Sequence, residues 1–153
     1  MKTRIYIDTS VIGGYYDNEF MVDTRLFFNR IEKKNFDIYL SEVSHAELSV
    51  APQKVRNVLK RIPLDCLIEL QFTEEAKQVA DIYIKDKVLG IASLNDAYHI
   101  AIATVNRIDV VVSWNFKHIV NFNKIRLFNA VNLKLGYPAI DIRSPKELIS
   151  YEN

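Results

Sequence analysis

The segment Ile5-Tyr6-Ile7-Asp8-Thr9-Ser10 constrains the fold more than any other. Three consecutive apolar residues, β-branched or aromatic, describe a strand buried on both faces, the pattern of a parallel sheet covered by helices on each side. The strand ends on a carboxylate and two hydroxyls. Ligands bind in the crevice at the carboxyl ends of such strands, so Asp8 is placed to hold a cation or a reacting group. Asp, Thr and Ser are also the residues that cap a following helix, and a purely structural role for Asp8 is equally compatible with the pattern.

Further along, apolar runs alternate with stretches of helical period. Strands are expected at residues 37–41, 66–72, 109–114 and 140–142. Between them, Val22, Leu26, Phe27 and Ile31 form a helical stripe, and residues 42–50 form a helix that carries Glu47 and stops near Pro52. Residues 53–62 read as another helix. Thr73, followed by Glu74 and Glu75, opens the next one. The Ala97–Ala103 stretch is apolar enough to be a buried helix, and Gly136 closes a helix over residues 124–135. Ser144-Pro145-Lys146-Glu147 has the form of a capping box opening a terminal helix. Strands alternating with helices imply an α/β fold with a parallel sheet and helices on both faces, and the absence of repeats or linkers implies one domain over residues 1–153.

The formal charge is +1, so bulk electrostatic attraction to nucleic acid is not expected. A negative cleft within a near-neutral protein remains compatible with it. The one cysteine, Cys66, lies in an apolar run and reads as core filler in a reducing compartment. No apolar stretch approaches the ~20 residues needed to span a bilayer, and no signal-like segment precedes the first strand; a cytoplasmic location without membrane attachment is the expectation.

Four polar residues stand at strand ends or on flanking helices: Asp8, Glu47, Asp96 and Asn115. If the strand order reverses between the first and fourth strands, Asp8 and Asn115 face one crevice. Ser44-His45-Ala46-Glu47 and Ser93-Leu94-Asn95-Asp96 also match capping boxes, which would turn both acids onto backbone N–H groups. Against this, the helix carrying Glu47 starts nearer Glu42, and an unpaired Asp96 beside an apolar helix would be costly to bury. A cation resolves that cost. Oxygen ligands without a Cys or His cluster select Mg²⁺ or Mn²⁺, and such a site suits metal-assisted attack of water on a phosphodiester.

Ile5–Ser10, then Ser44-His45-Ala46-Glu47-Leu48, then Asn95-Asp96-Ala97-Tyr98-His99-Ile100-Ala101, then Val111–His118 resemble, in order and spacing, the motifs of the PIN-domain ribonucleases, whose best-known members are the VapC-type toxins of toxin–antitoxin pairs. The ending around Asn132, Gly136-Tyr137-Pro138 and Ser144-Pro145 is similar to that of one bacterial subgroup. The resemblance implies a three-layer α/β/α fold with a five-stranded parallel sheet, a pocket binding Mg²⁺ or Mn²⁺, and endonucleolytic cleavage of RNA. It also implies a cognate antitoxin and a homodimer. Asp8, Glu47 and Asp96 match the pocket's carboxylates. Asn115 stands where many members carry Asp; its oxygen can ligate a cation or orient water, but the missing charge favours one metal over two.

Several neighbours are secondary candidates. Thr9, Ser10 and Ser113 could bond site waters or a phosphate. His99 reads as a packed or supporting histidine rather than a ligand. Lys117 and His118 could touch phosphate, and a solvated helix start explains them equally well. Lys54, Arg56, Lys60 and Arg61 could face RNA or an antitoxin, though such a run is more often a solvated face. Tyr15, Tyr16, Phe27, Phe28 and Trp114 are better explained as core or dimer packing than as base-stacking groups. A dehalogenase-type phosphotransferase also places Asp after its first strand, but it requires a second Asp where Ser10 stands. The non-enzymatic alternative is a PIN-like RNA-binding or protein-interaction module weakened at Asn115.

Overall fold

In the computed structural model, which describes residues 2–150, β1 (Thr3–Ile7) is the central strand of a five-stranded sheet. The order is β3-β2-β1-β4-β5, with β2 (Phe36–Ser41), β3 (Leu67–Leu70), β4 (Val110–Val112) and β5 (Asp141–Arg143) all parallel to their neighbours. Met1 and the last three residues, included in the expected domain span, lie outside the described residues.

Ile5, Tyr6 and Ile7 are fully buried, as an apolar run flanked on both faces requires. Alternation along the strand divides them between two cores. Tyr6 and Val111 join the side chains of α5 (Glu74–Lys85), α6 (Leu94–Val105) and α7 (Phe122–Lys134). Ile5, Ile7 and Val112 pack on the other face against α1 (Thr9–Gly14) and α2 (Met21–Glu32), with α8 (Pro145–Ser150) contributing Leu148 and Ile149. The chain leaves β1 toward β2 on one side and adds β4 on the other. The order reverses between β1 and β4, so the predicted crevice lies between their carboxyl ends.

Local chemistry explains the helix boundaries. Thr73 Oγ1 accepts from Ala76 N–H at the start of α5, and Asn121 Oδ1 accepts from Lys124 N–H at the start of α7. Gly136, just past α7, takes a left-handed φ of 90°, as a helix-terminating glycine does. Ser144 and Glu147 bond reciprocally in the predicted capping box. Cys66 is fully buried, as a core residue is, and its Sγ accepts from Lys2 Nζ at 3.3 Å.

Three local expectations are corrected. The expected helix over 53–62 is one α-turn, α4 (Gln53–Arg56), continued as a 3₁₀ helix over Asn57–Arg61. On α2, Val22 and Leu26 face outward, while Thr24, Phe27, Phe28 and Ile31 face the core; Thr24 is buried because its hydroxyl bonds Phe20 O and receives the Trp114 indole N–H. The boxes matched at Ser44 and Ser93 do not form. α3 (Glu42–Leu48) is capped one turn earlier by Ser41, with Ser44 as the reciprocal partner, and the Ser93 side chain makes no capping bond. Glu47 and Asp96 are thereby left free of capping duty. Among the described residues no helix is long and apolar enough to cross a membrane.

Candidate active site at the switch point of the sheet

Asp8 follows β1 and Ser113 follows β4, so the parallel pairing that joins the strands also joins the loops after them. Asp8 N–H continues the ladder to Val112 O at 3.2 Å. Its carboxylate is 4% exposed and receives one hydroxyl on each oxygen, Ser10 Oγ at 2.6 Å and Ser113 Oγ at 2.7 Å. Burial holds the Asp8 pKa above the ordinary aspartate value, against the charge of His99 and the two serine bonds.

Ser113 has a second role. Its Oγ accepts Asn115 N–H at 2.9 Å, while Trp114 N–H donates to Ser10 Oγ at 2.9 Å, and the β4 loop is thereby tied to the start of α1. Asn115 is oriented by its neighbours: the His118 N–H can donate only to oxygen, so it takes Asn115 Oδ1 at 2.9 Å. The amide nitrogen then points at Asp96 Oδ2, 3.3 Å away. In this arrangement Asn115 meets the carboxylates with a donor.

Asp96 stands in the first turn of α6, half-buried. Burial raises its pKa, and the charges of Asp8 and Glu47 raise it further, against His99 and His118. Glu47 projects from α3 across the crevice. Its Oε1 accepts from His99 Nε2 at 2.6 Å and from Thr9 Oγ1 at 2.7 Å. Burial works to raise the Glu47 pKa, but the hydrogen bonds and charge of His99, with help from Thr9 and Asn95, hold it below the ordinary value.

Behind Glu47 lies a buried chain that the sequence did not suggest. His99 is 2% exposed, and its Nδ1 is 2.6 Å from Tyr6 Oη, which is 2.7 Å from Ser41 Oγ. With Nε2–H donating to the carboxylate, Nδ1 accepts from Tyr6. His99 is therefore a packed histidine with a supporting role, as expected, while Tyr6 was readable only as core. Two members of the basic run are engaged elsewhere: Lys54 lies over the Tyr16 ring and Arg61 over the Tyr15 ring, and Arg61 also pairs with Glu32. Phe27, Phe28 and Trp114 are core, as expected.

The donor chemistry fits a hard divalent cation. Three acids share one crevice, each of Asp8 and Glu47 disfavouring the charged form of Asp96, and among the described residues neither Asp8 nor Asp96 pairs with a Lys or Arg. Yet no three His, Cys, Asp or Glu side chains among the described residues already converge as an ion site. Asp8 is held by its two serines, Glu47 by His99 and Thr9, and Asp96 by the Asn115 amide, with Asp96 and Glu47 only partly buried.

Beside the carboxylates opens a cavity of about 420 Å³, bordered by Ser10, Gly13, Asp17, Phe20, Trp114 and Asn115. Phe20 and Asp17 had no signal in the sequence, because neither belongs to a motif or a helical stripe.

Solved structures share this fold. VapBC2 from Rickettsia felis, bound to a DNA fragment from its promoter, superposes with a TM-score of 0.58 at 16% identity, over 93% of this chain and 98% of that one. The chain has the PIN-domain fold. A chain of a toxin–antitoxin complex from Klebsiella pneumoniae gives a TM-score of 0.55 at 16% identity, over 74% of this chain and 88% of that one. VapC20 from Mycobacterium tuberculosis, a toxin that cleaves the sarcin-ricin loop, gives 0.55 at 12% identity, over 89% of this chain and 98% of that one. At these identities the likeness is one of fold. No family model and no curated protein matches the sequence.

Proposed function

We propose that the protein is a metal-dependent endoribonuclease, the toxin of a toxin–antitoxin pair. The observation that carries this reading is the placement of Asp8, Glu47 and Asp96 around the switch point of a PIN fold, near enough that Asp8 and Glu47 disfavour the charged form of Asp96, with no Lys or Arg among the described residues to neutralise Asp8 or Asp96. A solved relative in fold cleaves RNA and another sits in a toxin–antitoxin complex, which supports the substrate class and a cognate antitoxin as partner. A homodimer is proposed with them.

Asp8 and Asp96 are the residues that would hold Mg²⁺ or Mn²⁺, and Glu47 would complete the set. Bound there, the ion would acidify a water and screen the phosphate charge. Glu47, held low by His99, is a weak base; its task is to orient the attacking water by accepting a hydrogen bond. Ser10 and Ser113 hold Asp8 in one rotamer, and Asn115 steadies Asp96 through its amide. Preorganised side chains of this kind lower the reorganisation needed as charge develops on the phosphate.

The test is cleavage of total RNA and tRNA by the purified protein, with and without Mn²⁺, beside Asp96→Asn. Cleavage that needs both the ion and Asp96 is expected. Mn²⁺-binding protein, free of antitoxin, that leaves both RNA pools intact would favour the second reading, a non-cutting RNA-binding or protein-interaction module. The Asn115 amide favours that reading, since it supplies a donor where a fourth carboxylate would add charge.

A further inference from the structure

The cavity next to the carboxylates has a composition unlike theirs. Its aromatic side is built by Phe20, stacked on Trp114 with centroids 4.4 Å apart and planes within 16°. Phe116 packs beside the stack with its ring tilted against Phe20 and edge-on to Trp114, 6.2 Å and 6.0 Å away, and it is 49% exposed. The Trp114 indole is anchored by Thr24 Oγ1 at 2.9 Å, so the platform is fixed from behind. Gly13 of α1 also borders the cavity, and a side chain there would meet nothing within 4 Å. Gly14, by contrast, lies against Thr24 and Trp114 and seats the platform on the helix.

We propose that this cavity receives one unstacked base of a single-stranded RNA, next to the phosphate held at the carboxylates; the inference rests on the ribonuclease reading. Ser10 and Asn115 border the cavity and also bond Asp8 and Asp96 respectively, so the two compartments are adjoining. The one charged group on the cavity wall is Asp17. A carboxylate there repels a phosphate and accepts from an amino-bearing base edge, which selects a base over the backbone as occupant. A base in a duplex has both faces covered, whereas a single-stranded base can leave its neighbours and stack on an exposed ring.

A short oligouridine carrying a single 2-aminopurine, moved position by position along the strand, tests the assignment by fluorescence. Binding is read in EDTA and again in Ca²⁺. One position is expected to be quenched on binding. Phe116→Ala removes the exposed ring beside the Phe20–Trp114 stack, and Gly13→Leu adds bulk on the cavity border, where a Cβ meets open space; each should weaken affinity about tenfold with melting temperature retained. Phe122→Ala, which removes another exposed ring on α7, should change nothing. No quenching in either buffer, quenching that survives Gly13→Leu, or an equal loss in Phe122→Ala would overturn the proposal. Quenching at one position without Mn²⁺-dependent cleavage would keep the cavity and remove the ribonuclease reading. Cleavage unaffected by Gly13→Leu and Phe116→Ala would do the reverse.

Discussion

Glu47 Oε1 lies 2.6 Å from His99 Nε2, and this buried imidazole fixes both where the carboxylate points and how readily it ionises. The ring is itself held from behind by Tyr6, whose phenol pKa is pushed up chiefly by burial. Removing the imidazole while keeping its bulk, as in His99→Phe, takes the Nε2 donor from Glu47 and leaves the Tyr6 hydroxyl to Ser41. A loss of about 2 kcal/mol in urea unfolding is expected, because a hydrogen bond to a charged group contributes about 1.5–3 kcal/mol. The Glu47 carboxyl should titrate higher by carbon-13 NMR in the same variant. A Glu47 midpoint unmoved by the substitution would show that His99 does not tune it.

Burial disfavours the charged form of Asp8, so ionising it costs stability. Asp8→Asn keeps the shape, can still bond Ser10 and Ser113, and removes a buried charge that also opposes the charge on Asp96. The metal-free variant should be more stable than the wild type by about 1–2 kcal/mol near neutral pH. Mn²⁺ should raise the melting temperature of the wild type and leave that of Asp8→Asn unchanged. Equal shifts in both would place the ion elsewhere.

The pH dependence carries opposite signs within one site. Asp8 and Asp96, with raised pKa values, bind protons more tightly folded than unfolded. Their contribution is therefore favourable at low pH and is lost as pH rises through the raised values. Glu47 is the reverse: its contribution is present above its ordinary value of 4.5 and is lost as pH falls through the lowered one. The stability gained by Asp8→Asn should be largest at neutral pH and shrink on acidification as the wild-type Asp8 takes up its proton. Denaturant midpoints of both proteins across the acid range check this, and a gain independent of pH would refute it.

Asn115→Asp exchanges a donor for a charge 3.3 Å from Asp96 Oδ2. Two facing carboxylates cannot both ionise cheaply, so the metal-free variant should lose about 1 kcal/mol near neutral pH. Mn²⁺ should in turn stabilise it more than it stabilises the wild type. Calorimetric titration of Mn²⁺ into both proteins measures the difference.

Adjacent glycines should respond differently to the same change. A Cβ at Gly14 would lie 2.8 Å from Thr24 Oγ1 and 2.9 Å from the Trp114 ring, so Gly14→Ala should cost about 1–3 kcal/mol through overpacking. Gly13→Ala meets open space within a helix and should be neutral or stabilising by up to about 1 kcal/mol. Thermal melts of the two variants separate the cases.

Much of this architecture is local and needs no partner to be read. The apolar run of β1, the β-branched run of β4, the cap at Thr73 and the box at Ser144 are written in neighbouring residues, because strand burial and helix capping act over a few positions. The sheet and the positions of Asp8, Glu47, Asp96 and Asn115 at its strand ends or beside them follow from that grammar. Tertiary packing alone decided what those side chains do. Ser41, rather than Ser44, caps α3, which frees Glu47 for His99, a residue on a helix on the far side of the chain. The Asn115 amide turns toward Asp96 because the His118 N–H takes its oxygen. Phe20, silent in any sequence pattern, becomes a cavity wall by stacking on Trp114. Periodicity records which face of an element is buried; which buried or polar groups then meet depends on contacts between distant segments, and those exist only once the chain has folded.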